Sequence, residues 1–125
     1  MKGIVISTEN HLTVRDFGAP LYKTIGEAVD GWIEIVRPSG LKSPYVMIVD
    51  DEGLIKKLPE NTVGSILYGT QSHGSPIVGT IVIMKEGWTD EGKDLLGLSD
   101  EEITQLTNEL VKLFQLAGKT YTKEN

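Results

Sequence analysis

The side chains best suited to chemistry gather in one stretch. Gly69-Thr70-Gln71-Ser72-His73-Gly74-Ser75 places a histidine and two serines among glycines. Glycines let the backbone approach a ligand closely, and the hydroxyls and imidazole offer hydrogen bonds. The stretch superficially resembles a phosphate-binding P-loop, but that chemistry needs a lysine after the second glycine and a helix aiming its first N–H groups at phosphate. Here Ser75 stands in the lysine's place, and Pro76 and a strand pattern follow. Adjacency also does not make His73 the base for Ser72 or Ser75, because nucleophile and base normally meet across a fold. His73 and His11 read as solvated turn residues, and two isolated histidines make a poor zinc site without carboxylates at ligand spacing. Asp50-Asp51-Glu52-Gly53 reads as an acidic turn, since it lacks the alternating oxygen ligands and terminal glutamate of an EF-hand loop.

Strands and helices must hold these residues. Ile4, Ile6, Leu12 and Val14 alternate around Thr8-Glu9-Asn10, which predicts a hairpin. Thr24 with Glu27 has capping-box spacing and predicts a short helix ending near Asp30-Gly31. Trp32 to Val36 and Tyr45 to Val49 read as an antiparallel pair, and Leu54 to Leu58 as a helical turn stopped by Pro59. Asn61 is placed to cap a helix reaching Leu67 or Tyr68 with Gly69 as its stop, although Val63-Gly64 keeps an extended alternative open. Thr70 to Ser75 is then a loop before a strand from Ile77 to Met84, and Trp88 opens a polar stretch. Ser99 with Glu102 forms a second capping box, ahead of Ile103, Leu106, Leu110, Leu113, Phe114 and Ala117 at helical spacing. Gly118 would terminate that helix, leaving residues 119–125 as a flexible tail. The pattern predicts a single α+β domain over residues 1–118: a small, mostly antiparallel sheet with two short helices and one longer C-terminal helix packed on one face.

Composition narrows the function. The chain has 125 residues, 39% hydrophobic, and no cysteine, so disulfides, thiolate metal sites and thiol nucleophiles are excluded. That composition, with no apolar run long enough for a signal peptide or a span, predicts a cytoplasmic protein with no membrane contact. A net charge of −6 argues against direct nucleic-acid binding. Neither a metal nor a cofactor is implied. Trp88, in the polar run Lys85 to Asp90, reads either as an interface residue or as one folded back onto the core.

Four segments carry a family resemblance: Lys23 to Glu34; Val49-Asp50-Asp51-Glu52-Gly53-Leu54; Leu58-Pro59-Glu60-Asn61 with Ser65-Ile66-Leu67-Tyr68-Gly69; and Pro76-Ile77-Val78-Gly79. In order and character, over about three fifths of the chain, they resemble the domain of unknown function DUF3846 of bacterial, phage and mobile-element proteins. Where that family often has asparagine and arginine, this chain has Asp51 and Thr62, so an anion site built on that arginine does not carry over. The resemblance implies a small accessory protein in a bacterial host cell and transfers no catalytic residue.

Two functions are weighed. The first expectation is a non-catalytic binding protein that sequesters a nucleotide immune signal as a counter-defence sponge, in a pocket between subunits of a homo-oligomer. Tyr68 or Trp88 would stack the base, Asn61, Ser65, Ser72, His73 and Ser75 would hydrogen-bond it, and Arg15 or Arg37 would meet phosphate. The alternative is an acidic protein-interaction module that inhibits or regulates a host or element-encoded protein. An enclosed polar and aromatic pocket favours the first, and exposed aromatic surface around Trp88 without one favours the second.

Overall fold

The computed structural model describes residues 1–118, with the backbone alone at Gln71 and His73, and the backbone of Thr122–Glu124. Strands β1 (Lys2–Ile6) and β2 (His11–Asp16) form the expected hairpin, with Ile4 opposite Val14 and Ile6 opposite Leu12. Asn10 turns the chain at φ 65°, a conformation asparagine tolerates better than most residues. Helix α1 (Leu21–Val29) ends at Asp30 as the sequence suggested but starts a turn earlier. Pro20 occupies its N-cap position, and the Thr24 hydroxyl, expected to cap the helix, instead donates to the Gly18 carbonyl at 2.8 Å from within it.

Strands β3 (Ile33–Val36) and β4 (Tyr45–Asp50) pair antiparallel. The helical turn expected over 54–58 is replaced by a run of tight turns, with Lys57 at φ 57° breaking any helical path. Helix α2 (Thr62–Tyr68) is capped by Asn61 and stopped by Gly69 at φ 83°. Its weak residue Gly64 is retained by packing, since a Cβ there would lie 2.8 Å from Ile77 Cγ2. The expected loop after Gly69 contains one helical turn, α3 (Thr70–His73).

The strongest strand lies further along than its β-branched run suggested: β5 is Ile81–Thr89. Gly79, at φ 78°, breaks the extended path at 77–80, and the strand then continues through Trp88. The polar stretch after Trp88 returns as β6 (Gly92–Leu96), antiparallel to β5. Helix α4 (Asp100–Leu116) carries both halves of the Ser99–Glu102 capping box. Strand β7 (Thr122–Glu124) runs parallel to β2; the rest of the expected tail, 119–121 and 125, lies outside the described residues.

The sheet order is β3-β4-β5-β1-β2-β7. Residues 81–83 of β5 pair with β1 and residues 85–89 with β6, so β1 and β6 follow each other along one edge of β5 while β4 holds the other. Helices cover both faces rather than the one expected. Ile4, Ile6, Met47, Val49, Ile81 and Ile83 pack with Val63 and Leu67 of α2 and Leu106, Leu110 and Phe114 of α4. Val5, Val46, Ile48, Val82 and Met84 point the other way, onto Ile25 and Val29 of α1. The physical reason lies in the strands: residues 4–6 of β1, 46–49 of β4 and 81–84 of β5 are continuously apolar, and a strand buried on both faces has no polar alternation.

Candidate functional site

The residues expected to meet a ligand are dispersed, and several are already committed to the fold. Asn61 is 1% exposed. Its Nδ2 donates to the carbonyls of Ile6 at 3.0 Å and Gly79 at 2.9 Å, and its Oδ1 accepts from the Gly64 N–H at 2.9 Å. Ser65, also buried, uses its hydroxyl on the backbone of Ile77, accepting from the N–H at 3.0 Å and donating to the carbonyl at 3.3 Å. These two side chains tie α2 to β1 and to the 77–79 segment, and their polar atoms are spent there. Arg37, the expected phosphate contact, is paired with both oxygens of Glu86 at 2.8 and 2.9 Å. Arg37 and Lys93 together hold the Glu86 carboxyl below its ordinary range. Ser72 and Ser65 line a groove of about 360 Å³ with Thr62, Ile66 and Thr70, and the side chain of His73 lies outside the described residues.

Tyr68 and Ser75 do meet, in a cleft of about 260 Å³ at the β3 edge of the sheet. Val36, Val49, Leu54 and the chain from Ser75 to Val78 line it. Its charge is the opposite of what a phosphate needs, because Glu34, Asp50 and Asp51 line it. Glu34 projects from the middle of β3, opposite Val49, and Asp51 follows the end of β4. Partial loss of water, then a hydrogen bond to Asp51 and that residue's charge, push the Glu34 carboxyl above its ordinary range. A second carboxylate beside Glu34 makes this part of the cleft favourable to an external cation.

Asp50 is the internally balanced member of the group. Lys56 Nζ donates to its Oδ2 at 2.7 Å and to the Asp30 carbonyl at 3.0 Å, while Asp50 Oδ1 accepts from the Glu52 N–H at 2.9 Å. Gly31 makes room for this carboxylate, since a Cβ at position 31 would overlap it. The acidic turn noted in the sequence is therefore a built feature, with one acid buried and paired and the next presented to the cleft. Among the described residues, no three His, Cys, Asp or Glu side chains gather as a metal site.

Aromatic surface lies outside the cleft. Trp88 is 81% exposed near the tip of the β5–β6 hairpin, directly across from Lys93, and Trp32 is 73% exposed where the chain enters β3. Leu54 and Ile55, in the turns after Asp51, are also exposed. The expectation that Trp32 belongs to an apolar strand missed its exposure. Glu34 and Asp51 were missed as a pair because one lies in β3 and the other just past the end of β4, and only the β3–β4 register brings them together.

No helix among the described residues is long and apolar enough to cross a membrane. No curated protein and no solved structure matches the chain. The family described as a domain of unknown function, DUF3846, matches residues 1–111, a span that includes the β1–β2 hairpin and most of α4 as well as the four segments of the sequence resemblance. The chain belongs to the DUF3846 family, and its acidic cleft is made entirely of residues inside the matched region.

Proposed function

We propose that the domain is an acidic protein-interaction module that binds a protein partner through the cleft of Glu34, Asp51 and Tyr68 and the exposed apolar residues beside it. The observation that carries this reading is the combination of a carboxylate-lined, solvent-open cleft with Trp32 exposed where the chain enters β3 and Leu54 and Ile55 exposed after Asp51. Exposed aromatic surface is the usual anchor of protein interfaces, and a carboxylate pair supplies charge complementarity toward a basic partner. The net charge of −6 acts in the same direction over longer range. In the phage or mobile-element setting implied by the family resemblance, the partner is a host or element-encoded protein that the module inhibits or regulates.

One observation favours the small-ligand reading: Tyr68 and Ser75 share a single cleft. The ligand suited to that cleft is cationic or neutral, because its carboxylates repel phosphate and Arg37 is engaged elsewhere. Affinity capture with the wild-type chain and with a Glu34→Lys, Asp51→Lys variant separates the two readings, run alongside native mass spectrometry with nucleotides, cyclic dinucleotides and polyamines. A protein retained by the wild type and lost by the variant supports the interaction module. A small molecule held stoichiometrically, with no such protein, overturns it.

A further inference from the structure

Strand β3 ends the sheet order, and among the described residues no strand pairs with its outer side. Its hydrogen-bonding phase follows from one contact. The Asp51 N–H donates to the Trp32 carbonyl at 2.8 Å, and the register places these two residues opposite each other. Directly opposed antiparallel pairs alternate between bonded and non-bonded, so Glu34 and Val36 bond inward to β4. Ile33 and Ile35 therefore present their N–H and C=O groups outward. The phase is consistent with the next strand pair, where the Glu86 N–H donates to the Pro44 carbonyl. Natural edges are usually blunted by short length, charged side chains, proline, bulges or a covering loop, and of these β3 has, among the described residues, only its four-residue length and one charge, Glu34. This one reads Ile33-Glu34-Ile35-Val36, with the Ile35 side chain 37% exposed and Trp32 open at its start.

We infer that β3 accepts an added antiparallel strand from a basic partner, with a lysine or arginine directly opposite Glu34 and apolar residues opposite Ile33 and Ile35. The inference rests on the interaction-module reading and specifies how the partner binds. In such a pair the residue opposite Glu34 lies on the same face of the sheet, with its Cβ about 4.5–5.5 Å from that of Glu34, so its charge enters the cleft. Its neighbours fall on the opposite face, where they cover Ile35. Charge complementarity selects this occupant over a second copy of the chain. Two β3 strands paired about Glu34 would set glutamate against glutamate, and paired about Ile35 they would leave both glutamates opposite valine.

The test is fluorescence polarisation of the full chain with a labelled peptide of about seven residues, a common strand length, alternating valine and lysine. Saturable binding is expected. Replacing the lysines by glutamates, or introducing Glu34→Lys, should weaken it about two- to thirtyfold, and combining the two should restore it, because opposite charges across a strand pair attract and like charges repel. N-methylation of the valine amides, which point at β3, should abolish binding; N-methylation of the lysine amides, which point away, should not. These changes lie in the probe and leave the fold of the protein untouched. Equal loss from both methylation patterns, or indifference to lysine-to-glutamate exchange, overturns strand addition. So does concentration-dependent dimerisation, in sedimentation, that is abolished by Ile35→Pro. A captured protein partner whose binding ignores every β3 change but fails with Trp88→Ala overturns strand addition and leaves the interaction-module reading standing.

Discussion

Replacing Asn61 with alanine removes three buried hydrogen bonds at once. The Gly64 N–H loses its cap acceptor, and the carbonyls of Ile6 and Gly79 lose their amide donors. Losing an N-cap costs about 1 kcal/mol, and each buried bond whose partner is left unsatisfied costs about 1 kcal/mol or more. The expected destabilisation is therefore about 3 to 4 kcal/mol, a large share of the roughly 5–15 kcal/mol typical of a domain. At the usual unfolding entropy per residue, a chain of this length loses about 4 °C of Tm per kcal/mol, so calorimetry should show a drop of about 12–16 °C. Asn61→Asp isolates the mechanism. It keeps a cap oxygen for Gly64 but sets a carboxylate against two carbonyl oxygens, so it should be at least as destabilised as the alanine variant at pH 7. An Asn61→Ala loss below about 4 °C, or a near-neutral Asn61→Asp, would refute the role of this side chain as the staple between α2, β1 and the 77–79 segment.

Other outcomes follow from the ion pairs and exposures. Glu102 accepts from Lys85 Nζ at 2.8 Å and from the Ser99 N–H at 2.9 Å, which hold its carboxyl down at about 2 from an ordinary 4.5. Its contribution, at most about 3 kcal/mol, is present above the unfolded value and is lost as pH falls toward 2. Urea denaturation should accordingly show Glu102→Gln less stable than wild type at pH 7, with the difference closing near pH 2.5 if this ion pair is the cause. Glu34 has the reverse sign. Its raised folded value means that its protonated form is favoured in the fold, an advantage present below the ordinary 4.5 and lost as pH rises. Glu34→Gln should then raise Tm at pH 7 and have little effect at pH 3.5; a destabilised variant at pH 7 would contradict the repulsive pair. Because both tryptophans are exposed, acrylamide should quench native fluorescence nearly as well as it quenches the urea-unfolded chain, and strong protection of either tryptophan would contradict their placement.

Local chemistry was legible in the sequence wherever a few neighbouring residues determine the outcome. The Ser99–Glu102 box, the Asn61 cap, the Gly69 stop and the β1–β2 turn needed no distant information. Errors arose where a second local signal outweighed the one that was read. Thr24 and Glu27 have capping spacing, but Pro20 starts the helix a turn earlier. The run from Ile77 is β-branched, yet Gly79 at φ 78° delays the strand to Ile81. The cleft was illegible for a different reason. Glu34 and Asp51 are 17 positions apart, and which face of an edge strand Glu34 occupies depends on register, which no single strand encodes. Asn61 and Ser65 were read as ligand contacts because polar residues near a glycine-rich loop look available; burial, invisible in the sequence, turned them into internal fasteners.

The contrast between Asp50 and Asp51 bears on why the cleft is acidic at all. Were the acidic turn only a solvated surface, nothing would require Gly31 to yield space to the Asp50 carboxylate or Lys56 to reach across to it. Those contacts neutralise Asp50, fix the start of the 51–57 turns, and leave Asp51 hydrogen-bonded toward Glu34. The fold thus compensates one carboxylate and leaves the adjoining pair without a lysine or arginine of its own among the described ion pairs. Partial loss of water and then the neighbouring Asp51 disfavour the ionised form of Glu34, and an incoming basic group would favour it. Binding of a lysine-bearing strand should therefore release protons, to an extent that grows as pH falls toward the carboxylate range. Calorimetric titration in buffers of different ionisation enthalpy would measure this, and an enthalpy independent of buffer at pH 5 would mean that the cation does not enter between Glu34 and Asp51.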